Sequence, residues 1–110
     1  MRQFVIDELS ILERDNLESY LKRSLKPGPM EGIFWIELPG DLLAEAQRGH
    51  AQCGPFYLGV ELEERRLCFE LLVRSQTNLH CTCIAYATGL QRQFVLDFID
   101  RMLEEEQIQA

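Results

Sequence analysis

The spacing of hydrophobic and polar positions changes several times along the chain, and each change marks an element. Leu17, Tyr20, Leu21, Ser24 and Leu25 recur at helical spacing, while Asp15, Glu18 and Lys22 lie off that stripe. Ser10 and Glu13 stand ahead of it as an S-x-x-E capping box. This predicts a helix over 10–25, stopped by Pro27-Gly28-Pro29. Ile33-Phe34-Trp35-Ile36 is apolar at every position and predicts a strand over 33–38, broken by Pro39-Gly40. Asp41 can cap a short helix over 42–48 that Gly49 ends. Phe56, Leu58, Val60 and Leu62 then alternate with their neighbours, as do Leu67, Phe69, Leu71 and Val73 beyond the charged stretch 63–66. The two runs predict a hairpin, although its turn lacks an Asn-Gly pair. A further strand is expected over 80–87. Thr88 can cap a last helix over 89–106, where Phe94, Val95, Phe98, Ile99, Met102 and Leu103 form a broad apolar face and Leu96 widens it. Glu104-Glu105-Glu106 sits where the helix dipole disfavours anions, so that end is expected to fray.

The order helix, strand, short helix, three strands, helix has short connections throughout. It predicts an α+β fold: an antiparallel sheet of about four strands, with an N-terminal and a C-terminal amphipathic helix packed on it. Phe4-Val5-Ile6 is a candidate short edge strand. The 110 residues fit a single globular domain spanning 1–110. A chain of this length, 46% hydrophobic, can bury a core without staples, so disulfides and metals are optional.

Charge narrows the partners. The formal net charge is −7, and the densest basic pair, Arg65-Arg66, directly follows Glu63-Glu64. Binding to phosphate backbones relies on Lys and Arg, so the sequence argues against nucleic acid and against an anionic membrane surface. A basic partner would suit it better. No apolar run approaches the roughly 20 residues of a membrane span. Asp7 and Glu8 arrive before any long apolar run, unlike a signal peptide. A cytoplasmic location is therefore expected, with the four cysteines as reduced thiols or metal ligands rather than disulfides.

Those cysteines carry the candidate chemistry. His50-x-x-Cys53 and His80-Cys81-x-Cys83 together hold a Cys3His zinc set: His50, Cys53, Cys81 and Cys83. The difficulty is geometric. Alternate residues of an extended strand stand nearly 7 Å apart, whereas sulfurs on one zinc lie about 4 Å apart. With 80–87 read as a strand, Cys81 and Cys83 could not share an ion. The expectation is a chain without a cofactor and with small buried thiols, zinc being the alternative. A cysteine nucleophile beside His50, at Cys53, Cys81 or Cys83, is a further reading, but no orienting group or oxyanion hole is marked. Glu37 with Asp41, and Glu61 with Glu63 and Glu70, could pair carboxylates, though a solvated acidic face explains them as well. The phosphate-loop, H-E-x-x-H and G-x-S-x-G motifs are absent.

The apolar surplus points to partners. If Phe34, Ile36 and Leu38 face the core, then Ile33 and Trp35 face the other way, with Tyr57 and Leu72 on the same side. Trp35, Tyr57 and Leu72 are the expected partner-binding residues, serving a homodimer or another protein. The function expected is a small acidic, non-enzymatic binding or regulatory module acting through protein contacts. The alternative is a zinc-binding or thiol-dependent domain built on His50 and the cysteines. In size, acidity and helix–sheet–helix order the chain also resembles type III secretion chaperones, departing from them in strand and helix order. That resemblance implies a partner polypeptide.

Overall fold

The computed structural model describes residues 2–75 and 77–109. Its elements are β1 (Gln3–Ile6), α1 (Ile11–Ser24), β2 (Lys26–Pro27), β3 (Ile33–Glu37), β4 (Phe56–Leu62), β5 (Leu67–Glu70), β6 (Leu72–Ser75), β7 (Ala85–Tyr86) and α2 (Gly89–Glu105). The fold is α+β with an antiparallel sheet, as the alternation predicts, but the sheet has seven strands instead of about four. The extra strands are short. β1 is the edge strand suggested by Phe4-Val5-Ile6, and β2 is two residues of the expected Pro-Gly-Pro turn region. Strand order is β1-β5-β4-β3-β2, with β6 paired to β4 and β7 to β6.

Both helices begin where the sequence says. Ser10 and Glu13 exchange capping bonds at the start of α1, and Thr88 and Gln91 do the same for α2. The hairpin is also as expected: Leu62 pairs with Leu67 and Glu61 with Cys68, and the Glu63 N–H donates to the Arg66 carbonyl. Register pairs Phe34 with Val60, Ile36 with Leu58 and Val60 with Phe69, which puts these side chains on one face. Leu17, Tyr20 and Leu21 of α1 and Val95, Ile99 and Met102 of α2 are buried in the same core. The Phe98 ring joins the layers, 6.0 Å from Tyr20 and 6.2 Å from Phe69. Burial of this set is the main stabilising term, at about 25 cal/mol per Å² of apolar surface removed from water.

Three local expectations are corrected. No helix forms over 42–48; a 3-10 turn covers Gly40–Leu42 and turns continue to Gly49. The Gln47 side chain accepts from the Ala44 N–H at 2.9 Å, and Gly49, at φ 80°, ends the turn. The strand over 80–87 shrinks to Ala85–Tyr86, which pairs with Val73 and Leu72, because the chain before it closes a turn in which the Ile84 N–H donates to the Cys81 carbonyl. The end of α2 is also closed rather than frayed. Ile108 N–H donates to the Leu103 carbonyl and Gln107 N–H to that of Glu104, with Gln107 at φ 56°. This is a Schellman closure, and Ile108 is buried by it. No helix among the described residues is long and apolar enough to cross a membrane.

Candidate metal centre

Two loops at one end of the sheet build the site. In the first, the Cys53 N–H donates to the His50 carbonyl at 2.8 Å and closes a 3-10 turn over Ala51–Cys53. In the second, which follows β6, the Ser75 hydroxyl donates to the Cys53 carbonyl and accepts from the N–H groups of Thr77 and Asn78. Thr77 Oγ1 donates to the Gln52 carbonyl at 3.2 Å, so the loops are bonded to each other. The His80 N–H is taken by Asn78 Oδ1, and the Ile84 N–H donates to the Cys81 carbonyl at 3.2 Å. Cys81 to Ile84 is therefore a turn, not a strand. That removes the 7 Å spacing which had separated Cys81 from Cys83.

His50, Cys53, Cys81 and Cys83 present one ligand atom each, all within 4.8 Å of one another. Cys81 Sγ lies 3.2 Å from His50 Nδ1. A tetrahedral zinc with Zn–S near 2.3 Å sets its ligand atoms about 3.8 Å apart. The cluster thus needs shifts of about 1 Å at most, with Cys81 and His50 moving slightly apart, to close on an ion. Cys53 and Cys83 are buried, while Cys81 and His50 are half-buried, so the site opens on one side. His80 is exposed and outside the set, and Cys68 is on β5.

The thiols are unequal. A backbone hydrogen bond from Cys83, with its side chain, Cys53 and His50 adding, holds Cys81 down at about 6. Burial, then hydrogen bonds with Cys81 and Cys53, pushes Cys83 up to about 12. Negative charge in the cluster therefore gathers first on the Cys81 sulfur, the one open to incoming ions.

Two buried glutamines that sequence reasoning missed hold the site in place. Gln47 Nε2 donates to the Cys83 carbonyl at 2.8 Å. Gln91 Nε2 donates to Gln47 Oε1 at 3.1 Å and to the Leu42 carbonyl at 2.9 Å. Gln91 is also the capping-box partner of Thr88. The turn at 44–48, the Cys83 turn and the start of α2 are thus one bonded unit. The T-x-x-Q spelling of the capping box was the available signal for Gln91; Gln47 had none, since an isolated Gln in a short expected helix does not announce burial.

The other candidates are dispersed. Trp35 and Tyr57 lie on the sheet face opposite the helices, where Tyr57 registers with Arg74, and Leu72 registers with Tyr86. Tyr57 is only 1% exposed, covered by Trp35 at 6.3 Å and by Lys26, whose Nζ donates to its hydroxyl. Its side chain is therefore withdrawn from that surface, while Trp35 and Leu72 stay half-exposed. Glu70 is held by Arg74 at 3.1 Å, which makes it an ion-pair partner, and Glu37, Asp41 and Glu61 are exposed. No protein-family model, curated protein or solved structure matches the chain.

Proposed function

We propose that this is a small binding module whose metal-held lobe takes one zinc ion on His50, Cys53, Cys81 and Cys83. The observation that carries this reading is the convergence of a complete Cys3His set, drawn from two loops, within 4.8 Å. Three thiolates and an imidazole satisfy zinc's preference for sulfur and nitrogen donors. Four protein ligands fill a tetrahedron and leave no position for water, which is the signature of a structural ion. The hydrogen bond from Gln47 to Cys83, supported by Gln91, supplies the orienting outer shell such sites use. The ion would tie 50–53 to 81–83 and fix that end of the sheet. The module then acts through protein contacts, with the half-exposed Trp35 and Leu72 on the helix-free face as a surface for a second copy.

Cobalt tests the ligand set. Titrating Co(II) into the reduced, metal-stripped protein should give intense tetrahedral ligand-field bands and sulfur-to-cobalt charge transfer that saturate at one ion per chain. Zinc should then bleach both. A weak octahedral spectrum would refute the reading. So would a tetrahedral spectrum that survives in the Cys81→Ser, Cys83→Ser double variant.

A second reading has one observation in its favour. The Cys81 sulfur beside His50 Nδ1, at 3.2 Å, is also a thiol–imidazole pair. Zinc loading separates the two readings, since an ion on that sulfur would protect it from alkylation.

A further inference from the structure

A cleft lies away from the metal lobe, between the free edge of β1 and the flank of α2. It encloses about 560 Å³. Phe4, Leu96, Leu103 and Ile108 are part of its apolar lining, and none of the first three is fully buried. Leu96 is the residue that makes the apolar face of α2 wider than packing on the sheet requires. Here it turns toward the sheet edge.

Two independent features define what fits the cleft. The first is the strand edge. β1 pairs only with β5, and the Arg2 carbonyl accepts from the Leu71 N–H. Backbone groups alternate in direction along a strand, so Phe4 and Ile6 also face β5, while Gln3 and Val5 point their N–H and C=O groups outward. Among the described residues nothing pairs with them. No proline stands in β1, and Val5 is 42% exposed. An unprotected edge of this kind is a template for an added strand. The second feature is charge. Asp7, Glu8, Glu13 and Asp100 line the cleft, and no Lys, Arg or His among the described residues does. Glu13 is engaged in its capping box and Asp7 Oδ1 accepts from the Glu8 N–H, but Asp7, Glu8 and Asp100 are all exposed. A second copy of β1 would bring its own Asp7-Glu8 pair on a chain of net charge −7. Charge therefore favours a cationic occupant over self-pairing.

We propose that the β1 edge and the α2 flank form a docking groove for an extended segment of a partner protein, one whose α2-facing positions, every second residue, carry apolar side chains with a basic one between them. The segment adds a strand beside Gln3 and Val5. On the α2-facing side its apolar side chains meet Phe4, Leu96 and Leu103 and its central cation meets Asp100, while Asp7 and Glu8 add to the acidic field at the end of β1. Main-chain bonds supply the affinity and the alternate side chains the selectivity.

The probe is the short synthetic peptide Thr-Val-Thr-Lys-Thr-Val-Thr, which places valine, lysine and valine on one face, titrated into the isotope-labelled protein; the same peptide with glutamate in place of lysine is the control. Amide shifts should concentrate at Gln3, Val5, Leu96, Asp100 and Leu103, weaken with salt, and be absent with the control. Val5→Pro removes an outward N–H and should weaken binding about tenfold. Asp100→Lys, on an exposed position, tests the charge with no demand on folding and should weaken binding several-fold. Shifts spread over the whole acidic surface, equal binding of the control, or indifference to Asp100→Lys would overturn the proposal. So would a dimer of the free protein that Val5→Pro dissociates, since the occupant would then be a second copy. Zinc loading is read separately from these shifts, so failure of the metal reading and failure of the groove are distinguishable.

Discussion

The side-chain amide of Gln47 donates to the backbone carbonyl of Cys83 at 2.8 Å, across 36 positions of sequence and in full burial. Because Gln91 in turn donates to Gln47, the position of a candidate ligand is fixed by two residues that touch no metal. Gln47→Leu keeps most of the volume but strands the Cys83 carbonyl and the Gln91 amide. It should cost about 2–3 kcal/mol in a denaturant melt. It should also weaken zinc binding by about 10–100-fold in chelator competition. Unchanged affinity would separate the glutamines from the site.

Acid should release the ion. Zinc binds thiolates, so protons compete with it. With Cys81 held at about 6, this sulfur gives up no proton to zinc at neutral pH. Cys83, pushed up to about 12, must lose one. Affinity should therefore fall as pH drops, and fall more steeply below about 6, where Cys81 also becomes protonated. A pH-independent affinity across that range would contradict the thiolate assignment.

The helix–sheet seam has its own test. Phe98 lies between Tyr20 and Phe69, and Leu71 is buried at the break between β5 and β6. Phe98→Ala and Leu71→Ala should each destabilise by about 2–5 kcal/mol in denaturant unfolding. Losses under about 0.5 kcal/mol, the usual surface value, would place these side chains outside the core.

On the helix-free face, a two-fold dimer should give a light-scattering mass twice the 12.8 kDa of one chain. Trp35→Glu should return it to a folded monomer, because a charge would enter the centre of the contact. A wild-type monomer at high concentration would end that part of the reading.

Legibility in the sequence followed local physics. The capping boxes at Ser10 and Thr88 and the alternation from Phe56 to Val73 each state their structure within a few residues, and the structure follows them. Elements that depend on distant partners were less legible. The 80–87 segment has strand-like composition, but the chain turns at Cys81–Ile84 and only Ala85 and Tyr86 remain extended to pair with Val73 and Leu72. The four ligand residues could be named from their types and spacing. Whether they met depended on the turn at Cys81–Ile84, whose stabilising bonds come from Asn78, Ser75 and Gln47. The cover over Tyr57 by Lys26 arises because β2 pairs Lys26 with Trp35, a register that a two-residue strand does not advertise.

The most direct test of the central claim is zinc stoichiometry by native mass spectrometry on the reduced protein, loaded with zinc and then freed of excess ion. One zinc per chain is expected, bound with displacement of thiol protons, and lost on Cys53→Ser or Cys83→Ser while Cys68→Ser retains it. A chain that stays metal-free after loading, or an ion that survives loss of Cys53 and Cys83, would contradict it.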